Sequence, residues 1–123
     1  MEQKHRNILL QDLCARLPHG VKVQDRNGTH ELTVGNTELA DLIHDGRWLN
    51  IKPYLRPLSE MTDSERNTLR SIDDFLQIAV KYNIVDGGYK VFDYLNSIHV
   101  DYRGLIPMGL ALKAPEGMYK VIS

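Results

Sequence analysis

The chain has 123 residues, 42% hydrophobic and 25% charged, the proportions of an ordinary folded protein rather than a disordered or fibrous one. Lysine and arginine number 15 against 16 aspartates and glutamates, for a net charge of −1, so no whole-molecule field draws in nucleic acid or anionic lipid. A single domain of this length buries roughly two thirds of the surface its unfolded chain exposes, enough for a core without staples.

Cys14 is the one cysteine; it cannot close an internal disulfide, which suits a reduced, cytoplasmic setting, and its apolar neighbours suggest a place in the core. Residues 5–17 set Ile8, Leu9, Leu10, Leu13, Cys14 and Leu17 on a helical stripe, with Asp12 and Arg16 assigned to the wet side. Pro18, His19 and Gly20 end that first helix. No apolar run is long enough to span a membrane, and the first six residues lack the apolar centre of a signal peptide.

Residues 21–24 and 30–34 alternate in polarity around Asn27-Gly28, the strongest hairpin signal in the chain. Turns at 35–36 and 45–46 mark off a third strand over 38–43 and a fourth over 47–54, the latter holding Trp48, Leu49 and Ile51. Turns at this spacing predict an antiparallel meander, since parallel units need crossover helices.

Pro53 and Pro57 stiffen the exit from the meander. Thr62 with Glu65 three residues on is a capping box, so a helix should begin at Asp63 with Met61 before its cap. Leu69, Ile72, Phe75, Leu76, Ala79 and Tyr82 then recur at helical spacing, with a candidate break at 71–73. Asp86-Gly87-Gly88 interrupts the pattern, and Val91, Phe92, Leu95 and Ile98 define a third amphipathic helix ending near His99. Beyond it the chain is rich in turns. Residues 110–112 are a candidate edge strand, and the tail from Pro115 reads as loosely held.

The expected fold is α+β in a single domain. Residues 1–20 are a helix and turn, 21–57 a meander of about four strands with its proline connector, 58–99 two helices packed across the sheet, and 100–123 a turn and C-terminal arm.

Residues 12–23, 51–62 and 101–119, above all Leu55-Arg56-Pro57-Leu58-Ser59 and Asp101-Tyr102-Arg103-Gly104-Leu105-Ile106, resemble a group of small, largely uncharacterised proteins of phages, prophages and mobile elements of gut Bacteroides-lineage bacteria. The resemblance implies a genomic setting and a bacterial host cell. It carries no reaction or ligand with it.

Catalytic and metal chemistry find little support. His5, His19, His30, His44 and His99 fall in different elements without ligand spacing. Asp73 and Asp74 point about 100° apart on a helix, Gly87-Gly88 lacks the strand-to-helix context of a phosphate loop, and no serine sits in a nucleophile elbow.

Two constellations are candidate binding sites. The first is His99, Asp101, Tyr102 and Arg103, where a planar arginine fork and a stacking face share a loop; alternatively Asp101 closes a turn and Arg103 pairs with Asp101 or a helix-end carbonyl. The second is Trp48, Tyr54 and Arg56, residue types that dominate interfaces, with Tyr54 and Arg56 expected as a surface pair beyond an edge strand.

The function expected from these features is non-enzymatic and cofactor-free. It is that of a phage or mobile-element accessory protein that binds a host or phage protein stoichiometrically, for example to inhibit a host defence or regulatory protein. The alternatives are a small-ligand or nucleotide binder using Arg103, Arg56 or Lys52, and a nucleic-acid-binding accessory protein, which neutral charge disfavours. Homo-oligomers through the fourth strand or the C-terminal arm are a further expectation.

Overall fold

A computed structural model describes residues 3–25, 28–33, 51–81 and 89–121. In chain order these form α1 (Gln3–Arg16), a 3-10 turn (Leu17–His19), β1 (Val21–Asp25), β2 (Gly28–Leu32), β3 (Lys52–Leu55), a second 3-10 turn (Leu58–Glu60), α2 (Asp63–Lys81), α3 (Tyr89–Ser97) and β4 (Leu112–Lys113). The turns at 35–36 and 45–46, the strand over 38–43, the start of the strand over 47–54 with Trp48, the histidine at position 44, and the break at 86–88 lie outside the described residues.

The local signals act as expected where they are described. Pro18 opens the 3-10 turn after α1, and Gly20, at φ 73, returns its amide to the Leu17 carbonyl. That left-handed exit favours glycine. β1 and β2 pair antiparallel, with Asp25 opposite Gly28. α2 starts at Asp63, directly after Thr62, the first residue of its capping box, and runs through 71–73 without a break.

The sheet order is β2-β1-β3-β4. β3 is antiparallel to β1 but parallel to β4, with Tyr54 opposite Leu112. The sheet is therefore mixed and not a pure antiparallel meander. Both α2 and α3 lie between β3 and β4, more than the dozen or so residues that a parallel crossover needs. β3 is also flanked on both sides, so the strand that holds Tyr54 is interior rather than an edge.

Two clusters of buried side chains organise the packing. Leu9 and Leu13 of α1 meet Val21, Val23, Leu32, Ile51 and Leu55 of the sheet region, closed at the end by Leu105, Leu110 and Ala111. Met61, Leu95 and Val100 form the second, with Leu69, Val91, Ile98 and Tyr102 against it. Among the described residues, Leu69 of α2 and Val91 and Leu95 of α3 belong to this second cluster.

Four expectations need correction. The buried face of α1 is Leu9, Asp12, Leu13 and Arg16, so two charged residues assigned to water lie inside. That 9-12-13-16 spacing is one narrow face, and it turns Cys14 outward, where it is exposed. Phe92 points away from the core of α3. The tail is held, because Tyr119 is buried and hydrogen-bonded to two strands.

Candidate functional site

Asp12 and Arg16 are four residues apart on α1, the spacing at which helix side chains meet. Arg16 Nε donates to Asp12 Oδ2 at 2.8 Å, and both side chains are fully enclosed. Arg16 Nη2 also donates to the Val100 carbonyl at 2.8 Å, fastening α1 to the turn beyond α3. From that turn Arg103 Nε donates to the other oxygen of Asp12 at 3.1 Å. Its Nη2 donates to the Tyr102 hydroxyl, also at 3.1 Å, and that hydroxyl donates to Asn96 Oδ1 at 2.9 Å. The Tyr102 ring has the Arg16 and Arg103 guanidiniums 5.3 and 5.0 Å from its centroid, each within reach of a cation–π attraction.

Asp101 takes the structural role open to it. It is buried, and its two oxygens accept the amides of Leu105 and Ile106 at 2.8 and 2.9 Å. An aspartate that satisfies two consecutive amides fixes the turn on which Tyr102 and Arg103 stand.

His99 closes α3. It stands at φ 63, its amide donates to the Asn96 carbonyl and the Val100 amide to the Leu95 carbonyl, both at 3.2 Å. That bond pair is a Schellman ending, and the accompanying contact between Val100 and Leu95 lies in the second core cluster. Glycine usually fills this left-handed position. Histidine costs about 1–2 kcal/mol there, against which its ring stacks on Tyr119 with centroids 3.7 Å apart and planes 11° from parallel.

Burial, then the positive charges of Arg16, His19, Arg56 and Lys22, hold the imidazole down to a pKa of about 4. Its buried Nδ1 has no hydrogen-bond partner among the described residues, so a proton there would add a donor with nothing to receive it.

Tyr119 anchors the C-terminal arm. Its hydroxyl accepts the Lys22 amide at 2.9 Å and donates to the Tyr54 carbonyl at 2.8 Å. Val23 pairs with Pro53 and Gln24 with Lys52, so the next rung of that ladder would set Lys22 opposite Tyr54. The hydroxyl stands in for the rung. Burial pushes the Tyr119 phenol up to about 12, and Lys22 Nζ adds a bond to the Met118 carbonyl at 3.0 Å.

Arg56, expected at the surface beside Tyr54, is buried instead. It forms a two-pronged pair with Glu65, Nη1 to Oε2 and Nη2 to Oε1, both 2.7 Å, and it also donates to the Ile98 and Glu60 carbonyls. Bonding to Glu65 raises the pKa of Arg56 further. For Glu65 burial pushes upward, but the Arg56 bonds and the Thr62 amide outweigh it and leave the carboxyl below its usual range. Tyr54 itself is half-buried, with its carbonyl bound by Tyr119.

A cavity of about 450 Å³ opens between the second 3-10 turn and the arm, lined by Arg56, Glu60, Lys113, Glu116, Tyr119 and Val121 among others. Its two basic groups already face carboxylates, Arg56 on Glu65 and Lys113 on Glu60 at 2.9 Å. Of the other histidines, His19 bonds Asp93 and His30 bonds Asp25. Among the described residues no group of three or more histidine, cysteine or acidic side chains could hold a metal ion, and no helix is long and apolar enough to cross a membrane.

What faces solvent beside the buried network is an aromatic and arginine face. Phe92 is 54% exposed, its ring lies 5.3 Å from that of Tyr102 at 49°, and the Arg103 side chain is 24% exposed. The structure thus joins Tyr102 and Arg103 to a phenylalanine that periodicity assigned to the core. It leaves His99 and Asp101 behind them as the frame, and places Tyr54 and Arg56 elsewhere. The chain matches no family model, and no curated protein or solved structure is found to be similar to it.

Proposed function

We propose that this chain is a non-enzymatic binding protein that acts by stoichiometric contact with another protein through the Phe92–Tyr102–Arg103 face. The observation that carries the reading is Phe92, a large aromatic side chain 54% exposed beside an arginine and a tyrosine whose positions are fixed from within. Aromatic residues and arginine supply much of the energy of protein interfaces, because they combine area with directed polar groups. A face held rigid before contact loses less freedom on binding.

Small-ligand binding has less support. The basic side chains lining the cavity are engaged by Glu65 and Glu60, which leaves no convergent cationic set for a phosphate. The resemblance of residues 55–59 and 101–106 to phage and mobile-element proteins supplies the setting of the proposal, in which a host protein is the target and inhibition the outcome.

Affinity capture from host lysate with wild type beside Phe92→Ala tests it. The variant removes only an exposed ring and should fold as wild type does. The expected result is one protein recovered with wild type, lost with the variant, and bound one to one by calorimetry once purified. Equal capture by both, or a co-purifying metabolite in place of a protein, would overturn the reading.

A further inference from the structure

We infer that one water molecule is held between Arg16 and His99, accepting a hydrogen bond from Arg16 Nη1 and donating one to His99 Nδ1, where α1, the end of α3 and the C-terminal arm meet. Each of these two nitrogens is buried and has no hydrogen-bond partner among the described residues. Buried polar groups in folded proteins are almost always paired, with protein or with ordered water. The Arg16 side chain is fully enclosed, so bulk solvent does not serve Nη1.

The two nitrogens belong to one neighbourhood. Arg16 Nη2 bonds the Val100 carbonyl at 2.8 Å, and Val100 follows His99 in the chain. Of the surrounding charges Arg16 acts most strongly on the His99 imidazole, and it acts as well on Tyr119, the ring stacked against that imidazole.

The other polar groups close by are already engaged. Asp12 gives one oxygen to Arg16 Nε and the other to Arg103. The Tyr119 hydroxyl is shared by the Lys22 amide and the Tyr54 carbonyl. The Tyr102 ring, 5.3 Å from Arg16 Cζ at its centroid, offers the guanidinium a π face but no lone pair for Nη1.

Polarity fixes how the guest is turned. A guanidinium only donates, so whatever sits on Nη1 directs a lone pair at it and its protons away. One of those protons then meets the bare nitrogen of a neutral imidazole, which places the His99 proton on Nε2. Water can do both. A small anion could accept from Nη1 but has no proton for Nδ1, and it would need an imidazolium, which burial and the charges of Arg16, His19, Arg56 and Lys22 oppose.

A crystal structure of the chain grown near neutral pH in bromide, with anomalous data, tests the inference together with heteronuclear NMR of the histidine rings. The expected result is one rounded peak of density about 2.7–3.2 Å from both nitrogens, without anomalous signal, and an Nδ1 resonance of a bare ring nitrogen. In solution the His99 ring protons should show an Overhauser contact to water with the sign of a long-lived guest. Protein atoms bonded to the two nitrogens in the crystal, or a separate water on each, would overturn the inference. So would a bromide signal at the peak, a proton on Nδ1, or the lack of a long-lived water contact at the ring.

Discussion

His99 is held at φ 63 by the helix ending it completes and by the ring of Tyr119 beneath it. Unfolded, a histidine takes up a proton near pH 6.5; folded, burial and the charges of Arg16, His19, Arg56 and Lys22 delay that to about 4. The stability carried by the neutral ring is therefore complete above pH 6.5 and drains away as the pH falls from 6.5 to 4. The loss should be on the order of 2 kcal/mol once residual exposure to water is discounted. His99→Asn tolerates the left-handed backbone without titrating. Urea denaturation at several pH values should show that step in wild type and not in the variant. A second loss at lower pH, as Glu65 protonates, should remain in both, because its carboxyl is held below the usual range and contributes only while ionised.

At the scale of the element, the start of α2 is the joint that connects helix and sheet. Thr62 Oγ1 accepts the Glu65 amide at 3.1 Å, and Glu65 Oε1 accepts the Thr62 amide at 2.9 Å. Glu65 serves Arg56 of the β3 exit at the same time. Thr62→Ala removes a cap and should cost about 1 kcal/mol. Glu65→Ala removes the cap partner and leaves Arg56 charged and enclosed, and should cost about 3–5 kcal/mol. Denaturant midpoints of the two variants measured side by side check the difference.

The capping box was legible in the sequence because both of its bonds are local. So was the hairpin, since turn residues act over four positions. The burial of Arg56 was not, because charged side chains default to water and its partner is revealed only when α2 docks. Asp12 and Arg16 left a fainter signal, an oppositely charged i,i+4 pair in step with Leu9 and Leu13, which a broad apolar stripe obscured. The parallel direction of β4 depends on where two helices carry the chain, and nothing in residues 110–113 encodes it. The outward turn of Phe92 is likewise a tertiary outcome, because Val91, Leu95 and Ile98 suffice to fill the cluster at that level.

Over the whole molecule, the first and last described segments are fastened to each other. Arg16 reaches the Val100 carbonyl, Arg103 reaches Asp12, and Tyr119 bridges β1 and β3. Tyr119→Phe keeps the ring on His99 and deletes the hydroxyl that completes the rung between Lys22 and Tyr54. With both backbone groups then left unpaired, a loss of about 1–3 kcal/mol is expected. Hydrogen exchange should locate it, with faster exchange of the Lys22 amide and little change in α2.

These long fastenings have a consequence for the order of events on the ribosome. Asp12 waits for an arginine 91 residues further along, and Lys22 for a tyrosine 97 residues further. At about 5–20 residues per second that interval lasts about 5–20 s. Throughout it the charged inner face of α1 has no turn to close against, and β1 and β3 lack their bridging hydroxyl. The fold around α1 and β1 therefore cannot be finished as those elements emerge, and its completion waits for Tyr119, 97 residues beyond Lys22.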